Sequence, residues 1–216
     1  KLLIKIGELK MSLWNELEEM FETSGNSIKV YNAKVKTSGV IEKIGVTTNS
    51  VLGCIIYNLE FLLVDNWVRV IGRGNKEKYG IIDFNSYFMK YEKNMFVVAT
   101  DVIGGIFAIN QGKYCEDIGK VWYLAPDTLE WESLSFEYSE FIAWLAQGNI
   151  NEFYQSMRWE NWRDLATNVE IDQGILIYPF LWSDEIVIQN ATKKIVPFYE
   201  LVSINMEYIS KLGINN

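Results

Sequence analysis

Four carboxylates stand at or beside turn-like stretches of this chain: Asp101, Glu116, Asp117 and Asp127. Gathered on neighbouring loops, such residues could supply the paired acid and base of glycoside hydrolysis, where two carboxyl groups flank the scissile bond. Read singly, they are solvated turn residues. The stretch DVIGGIFAINQG (101–112) adds Gly104 and Gly105 inside an apolar run. Glycines that lead into a helix can cradle a phosphate. Here Gly105 leads into IFAIN, a strand pattern without a P-loop lysine, so a hairpin turn is expected. In NWVRVIG (66–72), Trp67, Arg69 and Ile71 are expected to share one strand face. Arg69 could read a carboxylate with two parallel hydrogen bonds, or pair with an acid of its own fold. Trp131, just after a turn, is the expected exposed aromatic, whereas Trp144 and Trp162 fall near apolar helical faces.

What is missing narrows the chemistry further. The chain has 216 residues and no histidine. That removes Ser-His-Asp and Cys-His nucleophile activation, the usual zinc sites and the commonest general base near neutral pH. Carboxylate chemistry, lysine chemistry or no chemistry is left, and no cofactor or metal is expected. Cys54 and Cys115 are too few for a disulfide framework and are expected as free thiols in a reducing compartment. No secretory signal pattern is visible, so a cytoplasmic location is expected. The formal net charge is -8, and no basic stripe interrupts it. Such a surface disfavours nucleic acid and favours basic partners. No apolar run approaches the roughly 20 residues of a membrane helix.

The elements that must position these residues follow from periodicity and punctuation. Leu9, Leu13, Leu17, Met20 and Phe21 keep helical spacing, and SIKVYNAKV alternates as a strand. TTNSVLGCIIYN reads as a short helix capped near Ser50 and closed by Asn58. EFLLVDNWVRVIGRGN is strand, Asp65-Asn66 turn, strand. Strands are expected over 95–100, 106–110, 121–125 and 129–134, the last two joined by Pro126-Asp127-Thr128. Tyr138, Phe141, Ile142 and Leu145 mark a helix that Gly148 ends. Residues 151–166 continue the helical pattern, QGILIYPFLW holds a late strand, and a helix with Pro197 near its start and Gly213 after its end closes the chain. Short turns between consecutive strands imply an α+β fold with a mostly antiparallel central sheet. Strands such as MFVVA and VWYL are apolar throughout, so both sheet faces should be covered.

Several of these stretches resemble a known family. FVVATDVIGGIFAINQG, GKVWYLAPDTLEWESLSF and the helix after them resemble the core of the SUKH superfamily, the Knr4-like proteins. They are closest to an uncharacterised bacterial branch with the signatures seen here at 66–72, 100–110, 115–119, 125–131, 153–162 and 178–182. The branch differs at Asn58-Leu59-Glu60, Asn66-Trp67 and Cys115-Glu116-Asp117, positions read as loops. The resemblance implies one domain over 1–216, with a SUKH-like core over 45–148 and a helical C-terminal extension over 149–216 packed on it. It also implies a non-enzymatic protein-binding module, in many superfamily members an immunity protein that neutralises a bacterial toxin. A basic toxin domain is then the expected partner, met by Asp101, Glu116, Asp117 and Asp127 with Trp131 as anchor, and Arg69 as a further candidate contact. The alternative is a carbohydrate-binding protein or a carboxylate-based glycoside-acting enzyme.

Overall fold

The computed structural model describes residues 12–214. Seven strands form one antiparallel meander in chain order: β1 (Ile28–Asn32), β2 (Leu59–Val64), β3 (Val68–Ile71), β4 (Met95–Asp101), β5 (Ile106–Asn110), β6 (Val121–Leu124) and β7 (Trp131–Phe136). Each consecutive pair is hydrogen-bonded and antiparallel, although helices intervene between β1 and β2 and between β3 and β4. Asp65 and Asn66 both take positive φ (55° and 53°), and the Trp67 N–H donates to the Val64 carbonyl at 2.9 Å, which closes the turn between the paired Val64 and Val68.

Helices cover both faces. Helices α1 (Leu13–Glu22), α3 (Val51–Asn58) and α5 (Tyr138–Gln147) share one core with Val68, Val70, Phe107 and Tyr123. Helices α2 (Gly39–Ile44), α4 (Ile81–Phe88) and α8 (Phe198–Leu212) share the other with Ile71, Val97, Ala108, Trp122 and Leu124. Alternation along β6 deals Val121 and Tyr123 to the first core and Trp122 and Leu124 to the second. That is why β2, β3 and β6 are buried at every position, with Glu60 of β2 and Arg69 of β3 the charged residues among them.

The remaining elements are short. Helix α6 (Ile150–Phe153), a 3₁₀ turn (Gln155–Met157) and α7 (Trp162–Ala166) replace the continuous helix expected over 151–166: the chain leaves the α conformation at Tyr154, is extended at Arg158 and enters the left-handed region at Asn161 (φ 59°). A second sheet pairs β8 (Gln173–Tyr178) with β9 (Thr192–Pro197), and β9 runs directly into α8. Ile175 N–H donates to the Val102 carbonyl and joins this small sheet to the β4–β5 hairpin. Three further expectations are corrected. Helices α2 and α4 and strand β9 lie where no element was expected. Asn58 is not a left-handed cap: α3 passes straight into β2, and Asn58 Nδ2 instead donates to the Cys54 carbonyl at 2.9 Å. Trp67 does not share a face with Arg69 and Ile71, since it packs against Tyr154, Trp159 and Trp162 in the first core. Leu9, at the head of the expected first helix, lies outside the described residues.

The glycine pair makes the hairpin expected of it. Gly104 has φ 99°, and Asp101 N–H donates to the Gly105 carbonyl at 3.0 Å. A side chain at Gly104 meets a backbone conformation that L-residues avoid, and its Cβ would stand 3.1 Å from Asn205 Nδ2. At Gly105 a Cβ would overlap Asp101 Oδ2 and the Tyr123 hydroxyl. Gly104→Ala should therefore destabilise by about 1 kcal/mol or more, and Gly105→Ala by more than Gly104→Ala, as read from urea denaturation midpoints.

Candidate functional site

The β4 end places two neighbouring residues on opposite faces of the sheet. Asp101 turns toward the first core, and Thr100, cross-strand partner of Arg69, borders the opposite side. Asp101 is completely buried. Its Oδ1 accepts from the N–H groups of Ile103 (3.0 Å) and Gly105 (2.8 Å). Its Oδ2 accepts from the hydroxyls of Tyr123 (2.7 Å) and Tyr154 (3.1 Å). Burial pushes the Asp101 carboxyl above the usual carboxylate range, and these four donors hold it back. The two phenols are themselves pushed well up by burial and by Asp101, so they remain donors.

Beside this node lies Arg158, with its guanidinium carbon 3.9 Å from the Trp162 ring centre and 4.8 Å from that of Trp67. Nη1 donates to Asn151 Oδ1 at 2.6 Å, while Nε and Nη2 are buried without hydrogen-bond partners. Aromatic faces offset part of that loss. Burial lowers its pKa to about 10. The group is enclosed by its own cage and forms a packing unit.

Arg69 is different, because it lines a cavity. The cavity measures about 210 Å³ and is walled by Phe61, Ile71, Phe84 and Phe198, with Thr100, Asp172, Tyr79 and Tyr199 among its polar members. Arg69 is 2% exposed, and burial lowers its pKa to about 10, leaving it cationic at neutral pH. Nη1 donates to the Gln173 carbonyl at 2.5 Å. Nε and Nη2 are buried and have no hydrogen-bond partner among the described residues. These two nitrogens form one edge of the guanidinium, the edge that meets both oxygens of a carboxylate in parallel. A buried donor left unpaired costs on the order of 1–3 kcal/mol. The β3–β4 register brings Thr100 beside Arg69, and β8 brings Gln173 and Asp172 over it. Lys78 Nζ holds Asp172 Oδ1 at 2.7 Å and Glu170 Oε2 at 2.7 Å.

The residues expected to meet a partner do not form one surface. Asp101, with its four donors, is sealed in the core. Trp131 is 7% exposed and packs against Phe88, so it is no surface anchor. Arg69 is buried as well, and among the described residues it forms no ion pair with a neighbouring acid. Asp117 is half-buried and accepts from the Ser133 hydroxyl at 2.5 Å, which ties down its own loop. Asp127 is half-buried and Glu116 exposed. Thr100 and Asp172 were missed at the sequence level. Thr100 pairs with Arg69 across β3 and β4, which a connection containing α4 joins, so no turn fixed that register in the sequence. Asp172 was not legible either, since it precedes a strand whose docking no local signal announces. Among the described residues no group of three or more His, Cys, Asp or Glu gathers as a metal-ligand set. Nor is any helix among them long and apolar enough to cross a membrane.

Comparison with known proteins matches residues 3–201 to a family described as "Protein of unknown function DUF2625". The chain is 38% identical over 162 residues, 72% of each chain, to the uncharacterised protein YbfG of Escherichia coli (strain K12). It is 34% identical over 181 residues, 80% of this chain and 79% of the relative, to an uncharacterised protein of Haemophilus influenzae (strain ATCC 51907 / DSM 11121 / KW20 / Rd). These matches support the uncharacterised bacterial family anticipated from the signature motifs and carry no SUKH assignment.

The Asp101 node sets a pH-dependent prediction. With its folded pKa above the unfolded value, Asp101 contributes stability that is fully present below the unfolded pKa and is lost as pH rises through the raised folded pKa. Asn at this position does not titrate. The stability deficit of Asp101→Asn relative to the parent should therefore be larger at about pH 4 than at about pH 7, measured by urea unfolding at both. Tyr154→Phe, which removes one donor to Oδ2, should cost about 1 kcal/mol at neutral pH.

Proposed function

The chain belongs to the DUF2625 family of proteins of unknown function, and we propose that it is a non-enzymatic binding module whose site is the Arg69 cavity. The ligand group is a carboxylate with an apolar flank. The observation that carries this reading is the pair of unpartnered nitrogens on a buried arginine that lines a cavity otherwise walled by aromatic and aliphatic side chains. Replacing a buried charge by an apolar residue is often neutral or stabilising, so an unpaired arginine here is costly for the fold alone. A ligand carboxylate supplies the missing acceptors.

The same geometry argues against the glycoside-hydrolase alternative. Glycoside hydrolysis needs two carboxyl groups facing across a pocket. This cavity holds one, Asp172, and no tryptophan. Asp101 cannot be reached by any substrate. The likeness to SUKH proteins, which share no catalytic residues, points the same way. A cytoplasmic setting suits Cys54 and Cys115, both unpaired. Recognition of a basic toxin domain would have to rest on Glu116 and the half-buried Asp117 and Asp127 without Asp101 or Trp131. The cavity is thus the better-supported site.

Thermal unfolding with hexanoate and benzoate, against hexanamide and benzamide, tests the carboxylate reading. The carboxylates should raise Tm with rising concentration and the amides should not, because only ligands bound to the native state stabilise it by mass action. Arg69→Met should lose at least about tenfold in carboxylate affinity while remaining folded. If neither carboxylate shifts Tm at millimolar concentration, or if the amides act equally, the reading fails.

A further inference from the structure

Arg69 is not the only charged group on the cavity wall. Asp172 lines it too, and its side chain is 34% exposed. Lys78 occupies Asp172 Oδ1, whereas Oδ2 makes no hydrogen bond among the described residues. The Asp172 backbone is held firmly: the Phe198 N–H donates to its carbonyl at 2.8 Å, and the next carbonyl, that of Gln173, accepts from Arg69. The same short segment therefore sets the position of the acid and of the arginine.

The charges around the cavity balance. Arg69 and Lys78 are opposed by Asp172 and Glu170. A simple anion would bring uncompensated charge to such a site. A ligand that carries its own positive group would not, and it would find that group's partner in Asp172. The tilted pair Tyr79 and Tyr199, with ring centres 4.7 Å apart, adds aromatic faces, which also attract an ammonium group. Phe61, Ile71, Phe84 and Phe198 supply the apolar wall. A volume of about 210 Å³ is below the roughly 300–1,000 Å³ of drug-sized pockets and suits a compact ligand.

We propose that this cavity binds a free α-amino acid with an apolar side chain. Its carboxylate meets Nε and Nη2 of Arg69, its ammonium meets Asp172, and its side chain lies on the aromatic and aliphatic wall. Thr100, whose hydroxyl makes no hydrogen bond among the described residues, stands beside the carboxylate position as a further donor. This rests on the reading of Arg69 as a carboxylate site and adds the second charge of the ligand to it.

Isothermal titration with L-leucine, N-acetyl-L-leucine and hexanoate tests the addition. The acetyl group removes the positive charge and keeps the carboxylate and side chain. The parent protein should bind L-leucine at least about tenfold tighter than N-acetyl-L-leucine or hexanoate. Asp172→Asn should bring leucine and its acetyl derivative within about twofold of each other while retaining hexanoate. Glu170→Gln, which removes the other partner of Lys78, should preserve the preference for leucine. Equal binding of leucine and N-acetyl-leucine to the parent protein overturns the amino-acid proposal and leaves the carboxylate reading standing. So does loss of the preference in Glu170→Gln to the same extent as in Asp172→Asn, since the ion-pair cluster would then be acting only as a structural unit. Absence of binding by leucine and hexanoate alike overturns both.

Discussion

A fully buried carboxylate must find donors or be neutralised, and in this fold Asp101 finds four. Two come from the turn it begins, one from β6 and one from the segment after α6. Satisfying that one side chain therefore joins a local hairpin, a third strand and a stretch 53 residues downstream. The requirement also explains the glycines. Gly105 must offer its N–H to Oδ1 and leave room for Oδ2 and Tyr123, which no side chain permits. Gly104 must take the left-handed conformation that lets the chain turn back within reach. The motif is a device for packing an acid, and the phosphate cradle it superficially suggests has no helix behind it.

The residue before Asp101 shows how a sheet separates two kinds of polar site. On one face, Asp101 and Arg158 sit within aromatic packing, and every wall is filled. On the other, Arg69 and Thr100 border space. Both arginines carry unpaired nitrogens, yet only one of them lines a cavity. Arg158 recovers part of the loss from the faces of Trp162 and Trp67. Arg69 has no ring over it among the described residues, and one backbone carbonyl is its sole hydrogen-bond acceptor. An unpaired buried donor is tolerated where a role outweighs its cost, and the space beside Arg69 is where such a role has room to act.

Much of the framework was legible because turns punctuate it. Asp65-Asn66, Gly104-Gly105 and Pro126-Asp127-Thr128 each separate two apolar runs, and each run became a strand of the meander. Helix α5 was legible from spacing alone, since Tyr138, Phe141, Ile142 and Leu145 are all buried. Other parts carried no such signal. The pattern over 151–166 has helical spacing, but an extended Arg158 and a left-handed Asn161 divide it, and spacing does not encode those conformations. Strand β9, TKKIVP, is half exposed and charged, so neither alternation nor hydrophobicity marks it. The site was least legible of all. An aspartate ahead of two glycines looks like a solvated turn residue, and what buries it comes from Tyr123 and Tyr154. Trp131 was read as exposed because it follows a turn, whereas β7 delivers it against Phe88 of α4, an element the sequence did not announce.

The late elements complete the cavity. Its walls come from two sources. Phe61, Arg69, Ile71 and Thr100 belong to the main sheet, whereas Ile171, Asp172 and Pro197–Tyr199 belong to the segments that enter β8 and leave β9. The small sheet reaches the main one through few polar links, the Ile175–Val102 hydrogen bond and the Arg69–Gln173 hydrogen bond among them. An occupant held by Arg69 on one side and Asp172 on the other would touch both bodies at once. Its binding energy would then also hold the β8–β9 unit against the meander, because a ligand that requires both walls favours the state in which they are docked. A meander alone would expose Arg69 to water, where its donors would be satisfied and its selectivity lost. Covering it with the late strands closes it off from solvent and leaves two of its nitrogens without acceptors among the described residues, and that unmet demand is what the proposed carboxylate site rests on.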